Sequence, residues 1–106
     1  MSERIPDFQS IMYPLLSFLG DGETHNLQEV INVMATKFQL TEEELKVKVP
    51  SGQMVLFKNR IGWATSYLKN SGLIYYPQRG VYQITDTGKK VLTENIDYIN
   101  IAYLRQ

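Results

Sequence analysis

QMVLFKNRIGWATSYLKNSGLIYYPQRGVYQITDTGKK, residues 53–90, is the stretch on which the fold turns. Phe57, Ile61, Ala64 and Leu68 recur at steps of three or four residues and form one apolar face, which predicts a helix of about 53–71. Gly72 suits the left-handed residue that closes such a helix. Two β-rich runs follow, Leu73-Ile74-Tyr75-Tyr76 and Val81-Tyr82-Gln83-Ile84, and Pro77-Gln78-Arg79-Gly80 between them is a proline-glycine turn that makes a hairpin. Thr85 then caps a helix of about 85–94, with Asp86 in its first turn, Val91 and Leu92 facing inward, and Lys89 and Lys90 outward.

On the N-terminal side, Pro6 and Asp7 suit a helix start, and Phe8, Ile11, Met12, Leu15, Leu16 and Leu19 give it an apolar stripe over about 6–19. Gly20-Asp21-Gly22 ends it, and Pro14 inside it should kink it or loosen its hydrogen bonding. Glu23-Thr24-His25 is a connector able to pair with the hairpin as a minimal strand. Asn26 and Glu29 form a capping box for a second helix of about 27–38, whose buried stripe is Leu27, Val30, Ile31, Met34, Ala35 and Phe38. Thr41-Glu42-Glu43-Glu44 is another capping box and opens a short helix of about 42–48, which Pro50-Ser51-Gly52 ends. Residues 95–106 alternate between apolar and polar without a firm period, so strand, short helix and connector all stay open, while the apolar content argues against a floppy linker.

A helix feeding directly into a hairpin is the outline of a winged helix-turn-helix. The expected class is therefore α+β and mostly helical, with a short extra helix before the recognition helix and a two- to three-stranded antiparallel wing. At 106 residues the chain fits one domain with its own core. It has no cysteine, which removes disulfides, thiolate metal sites and cysteine nucleophiles. No apolar run approaches the ~20 residues of a membrane span, and MSERIPDF lacks a signal-peptide pattern, so a cytoplasmic location without a membrane partner is expected.

Net charge is zero, but residues 53–90 hold six of the eleven Lys and Arg residues and one of the eleven acids. Local phosphate neutralisation, not the total, drives nucleic-acid binding. On the helix of about 53–71, Asn59, Ser66 and Asn70 lie opposite the core face, flanked by Lys58, Gly62 and Lys69 on one edge and by Arg60, Trp63 and Tyr67 on the other. Lys58, Lys69 and, at the hairpin tip, Arg79 suit phosphates; Asn59, Ser66 and Asn70 suit base edges, and Arg60 suits either. Gly62 is disfavoured in a helix and points to close approach of its backbone by a nucleic acid or a packed helix. Trp63 and Tyr67 are expected to pack under the hairpin. His25, the only histidine, has no partnered carboxylate or cysteine spacing and reads as structural or surface. The three adjacent glutamates read as an exposed first turn, because consecutive helical positions point different ways. There is no phosphate-binding glycine loop, no metal-ligand spacing and no nucleophile-base pair, so neither catalysis nor a cofactor is expected of this chain.

Ile5-Pro6-Asp7-Phe8, Pro14-Leu15-Leu16, Asp21-Gly22, Leu40-Thr41-Glu42-Glu43-Glu44, Pro50-Ser51-Gly52, Asn59-Arg60-Ile61-Gly62-Trp63-Ala64, Tyr67-Leu68-Lys69, Gly72-Leu73-Ile74, Arg79-Gly80 and Ile84-Thr85-Asp86-Thr87-Gly88 resemble the N-terminal domain of Mrr-type restriction endonucleases, which cut modified DNA. The Asn-Arg-Ile-Gly-Trp-Ala stretch is the more specific part; Ile-Thr-Asp-x-Gly follows the wing of many winged-helix proteins. The resemblance implies a winged-helix DNA-binding domain over 1–94 and a connector over 95–106 toward a separate C-terminal nuclease domain with a PD-(D/E)xK metal site, which this chain lacks. Its expected partners are double-stranded DNA, that nuclease domain, and a second copy if the module dimerises. The competing reading is a non-catalytic module for protein contacts or dimerisation.

Overall fold

In the computed structural model, which describes residues 4–106, helix α1 (Phe8–Phe18) starts after Asp7, whose carboxylate accepts a hydrogen bond from the Ser10 N–H at 2.7 Å. The acid is thus the cap itself, since its extended backbone frees the side chain to satisfy an otherwise unpaired helix donor, and Pro6 lies outside the helix. Pro14 lies inside α1. A 3-10 turn, Leu19–Asp21, closes on Gly22 at φ 81°. Strand β1 (His25–Asn26) and helix α2 (Leu27–Lys37) follow. The expected capping box joins them: Glu29 N–H donates to the Asn26 side chain at 2.8 Å, and Asn26 N–H to the Glu29 carboxylate at 2.9 Å.

The second capping box also forms, between Thr41 and Glu44, but only a 3-10 turn, Glu44–Lys46, follows instead of a helix to 48. Val47 turns extended because its carbonyl accepts the Leu56 N–H at 2.8 Å, and Lys48 bridges to Val55. Residues 53–55 are therefore the return limb of a loop, and helix α3 spans Leu56–Asn70. Glu44 corrects the reading of three exposed glutamates: it is 6% exposed, pairs with Arg4 at 3.1 Å, and the Thr41 N–H holds its carboxyl below the usual range.

Phe57, Ile61, Ala64 and Leu68 on α3 are all buried, as expected, and α1 packs along them. The helix ends with Leu73 N–H on the Leu68 carbonyl and Gly72 N–H on that of Lys69, at 2.9 and 3.0 Å, a pairing that Gly72 permits at φ 79°. Strands β2 (Ile74–Gln78) and β3 (Val81–Ile84) form the hairpin, and β1 completes an antiparallel sheet of order β1-β3-β2. The turn is only Arg79-Gly80. Pro77 lies within β2 because that strand is at the sheet edge and its register slips between Tyr75 and Gln78, where a missing N–H breaks no ladder bond.

Helix α4 (Asp86–Leu92) folds back against this junction. Thr85 N–H donates to the Leu73 carbonyl at 3.0 Å, the Thr85 hydroxyl donates to the Gly72 carbonyl at 2.6 Å, and Gly88 N–H donates to that hydroxyl at 3.0 Å. Residues 95–106 include a short helix, α5 (Ile101–Leu104), laid on the domain: Ile99 is fully buried and Ile101 N–H donates to the Gln9 side chain at 2.9 Å. Burial and the adjoining Glu94 carboxylate push the Tyr103 hydroxyl up to about 12. The element order and sheet are those expected of an α+β winged helix-turn-helix, with the extra helix reduced to a turn. No described helix is long and apolar enough to cross a membrane.

His25 is structural, but it does have carboxylate partners: Nε2 lies 2.9 Å from Asp21 and Nδ1 3.2 Å from Glu29, with Phe18 against the ring at 4.4 Å. Burial opposes the imidazolium, yet the two carboxylates outweigh it and raise the His25 pKa above 6.5, while Asp21 and Glu29 are held below 3.8 and 4.5. The clip thus contributes its full stability between about 4.5 and 6.5.

Two outcomes are expected. Unfolding free energy should decline as pH rises from 6.5 through the raised His25 pKa, and His25→Gln should flatten that decline in urea titrations at stepped pH. A Cβ on Gly88 would lie 2.2 Å from the Leu73 carbonyl oxygen, so Gly88→Ala should destabilise the domain by about 1–3 kcal/mol, read from the urea midpoint.

Candidate nucleic-acid interface

The solvent side of α3 follows from its core side, since residues 58, 59, 62, 63 and 66 lie away from the buried stripe of 57, 61, 64 and 68. Lys58, Asn59, Gly62, Trp63 and Ser66 line an open concavity of about 390 Å³, joined by Met54 from the preceding loop, Leu27 from the start of α2 and Tyr82 from β3. Leu27 reaches it because its N–H donates to the Gly80 carbonyl at 3.0 Å, which ties α2 to the hairpin turn. The Asn59 amide donates to Met54 Sδ at 3.4 Å.

Gly62 forms the floor of this concavity. Among the described residues nothing outside its own helical turn packs onto it, because a Cβ built there meets nothing within 4 Å. The packed-helix explanation of this glycine therefore fails for the described residues. Trp63 departs from expectation too: it is 53% exposed and not under the wing. The space there is filled by the hairpin's own tyrosines, Tyr82 buried and Tyr76 edge-on to it at 5.1 Å. Tyr67 instead stacks on Phe8 of α1 at 5.0 Å.

The expected contact residues separate into three places. Lys58, Asn59 and Ser66 share the concavity. Lys69 and Asn70 are exposed at the end of α3, with Lys69 Nζ 5.3 Å from the centre of the Tyr76 ring, a cation–π contact to the hairpin. Arg79 is exposed at the hairpin tip. Arg60 is half-buried and donates to the carbonyls of Ile5 and Pro6 at 2.8 and 3.3 Å, so it anchors the segment before α1. Among the described residues, Lys58, Lys69 and Arg79 form no ion pair. No cluster of three His, Cys, Asp or Glu side chains among those residues is placed to hold a metal ion.

Sequence reasoning missed Leu27, Met54 and Tyr82 as lining residues, which come from distant elements. The Gly62-Trp63 pair was the available signal, a helix-disfavoured residue beside the largest apolar one. Since Gly62 has open space above it, Gly62→Ala should stabilise the domain by about 1 kcal/mol through helix propensity alone, seen as a raised melting temperature.

Residues 8–94 match the family model described as the Mrr N-terminal domain. The type IV methyl-directed restriction enzyme EcoKMrr of Escherichia coli strain K12 is 31% identical over 85 residues, which are 79% of this chain and 28% of that enzyme. The chain thus spans little more than a quarter of that relative's length. No solved structure matches it. With the match extending from α1 through α4, the chain belongs to the Mrr N-terminal domain family.

Proposed function

We propose that this domain binds double-stranded DNA, with α3 in the major groove and the Arg79 turn on the adjacent backbone, as the targeting module of a modification-directed restriction system. The observation that carries this reading is the row of polar and cationic side chains on the solvent face of α3, its lysines without an ion-pair partner among the described residues, with a further such cation at the hairpin tip. Lys58, Lys69 and Arg79 neutralise phosphates, and Asn59, Ser66 and Asn70 face base edges. Arg60, held by two backbone carbonyls, acts by fixing the N-terminal segment. In the parent protein, residues 95–106 lead toward a C-terminal nuclease domain that performs the cleavage, and this part is non-catalytic and cytoplasmic. The family match and the methyl-directed relative support the restriction role.

Affinity for labelled duplex DNA should fall steeply with salt. Lys58→Ala and Arg79→Ala should each weaken binding about equally across sequences and reduce the salt slope by about one, whereas Arg60→Ala should lower thermal stability with the slope retained. Absence of duplex binding at low salt, together with concentration-dependent dimerisation in sedimentation, would favour the protein-contact role instead.

A further inference from the structure

Helix α3 has two edges of different chemistry on either side of Asn59 and Ser66. Lys58 and Lys69 occupy the edge beside the hairpin, where Lys69 lies over the Tyr76 ring. The other edge runs along the start of α1, with Tyr67 stacked on Phe8 at 5.0 Å. Both arginines on that side are engaged: Arg60 donates to the carbonyls of Ile5 and Pro6, and Arg4 pairs with Glu44 at 3.1 Å. What this edge presents to solvent is Trp63, 53% exposed. Tyr67 backs the indole at 6.3 Å and Phe8 backs Tyr67, so Trp63 stands at the end of a row of three rings. An aromatic surface of that size left in water, and already held in place, has much to gain from burial and little freedom to lose.

Resting on the DNA-binding reading, we propose that Trp63 makes the contact to the second strand, its indole lying against a deoxyribose of the backbone across the groove from the hairpin. A helix with its side chains is about 10–12 Å across and the major groove is about 12 Å wide, so a seated helix meets both walls at once. Lys58, Lys69 and the hairpin meet one wall, and the edge of Trp63 meets the other. The indole also lines the same concavity as Lys58, Asn59 and Ser66, so a duplex seated on those three covers it. The apolar surface that a backbone wall offers is its sugar methylene groups, and the indole N–H, a donor only, suits the adjoining phosphate oxygen. The two strands are then held by different forces. Counterion release acts on the hairpin side, and apolar contact, which salt does not screen, acts on the Trp63 side.

The chain contains one tryptophan, so its fluorescence reports on this contact alone. Saturating duplex DNA at low salt should protect the indole from quenching by acrylamide, a measurement that needs no substitution. Trp63→Ala should weaken duplex binding roughly tenfold, the scale of a truncated aromatic anchor. The slope of log affinity against log salt should stay unchanged in that variant, the opposite of Lys58→Ala. Trp63→Phe keeps an apolar ring and should recover most of the loss, with circular dichroism showing both variants folded. A duplex labelled with 2-aminopurine should stay dark on binding, because its base stack is not opened. Affinity untouched by Trp63→Ala, an indole as open to acrylamide in the complex as before it, or a salt slope that falls with the substitution would each overturn the proposal. So would 2-aminopurine brightening that disappears in Trp63→Ala, since the indole would then lie between bases. All four outcomes leave DNA binding standing; if no duplex binds even at low salt, both readings fail together.

Discussion

The carbonyl of Leu73 is the point through which the helical and sheet halves of the domain are joined. It accepts the Thr85 N–H, and Gly88 lets the first turn of α4 come so close that a single methyl group would collide with it. Thr85 reinforces the joint from the other side by donating to the Gly72 carbonyl. A helix end, both limbs of a hairpin and the start of another helix are thereby tied within a few residues. The orientation of the hairpin relative to α3 is set here, and with it the distance between the Arg79 turn and the face that carries Lys58 and Ser66. A looser joint would leave the two contact regions free to move independently, which would add an ordering penalty to any binding that uses both.

A second tie runs across the top of that joint. Lys69 lies against Tyr76, Tyr76 packs edge-on to Tyr82, and Tyr82 forms part of the wall of the concavity over Gly62. The hairpin is therefore not an appendage beside the helix; one of its side chains helps shape the helix's solvent face. The burial of Tyr82 also explains why Trp63 stays outside, since the volume beneath the sheet is already occupied.

Zero net charge conceals a division of labour. Four of the eight acids in residues 1–52 are committed to the fold: Asp7 caps α1, Asp21 and Glu29 clip His25, and Glu44 is buried against Arg4. The cations of α3 and the hairpin are left without acidic partners among the described residues, and of them Arg60 is committed to the carbonyls of Ile5 and Pro6. Cations already paired with carboxylates gain little from phosphates, so it is the unpaired ones that matter for an anionic partner.

Residue periodicity and cap chemistry by themselves determined the number and order of the main elements, the core face of α3, the Asn26–Glu29 box and the left-handed close at Gly72. These are local properties, written in spacing and in single side chains that satisfy neighbouring backbone groups. Element limits and surroundings were decided by tertiary structure. The helix after Thr41 stopped at a 3-10 turn because Val47 is needed extended to meet Leu56, and the hairpin turn shrank because an edge strand tolerates Pro77. His25 gained two carboxylates from a turn and a helix on either side of its strand, and Arg60 was drawn to the N-terminal carbonyls. The concavity over Gly62 belongs to the same class. A glycine's oddness in a helix is legible from sequence, but whether the space above it is filled or empty depends on side chains brought from α2, the loop before α3 and β3, and no local pattern encodes that.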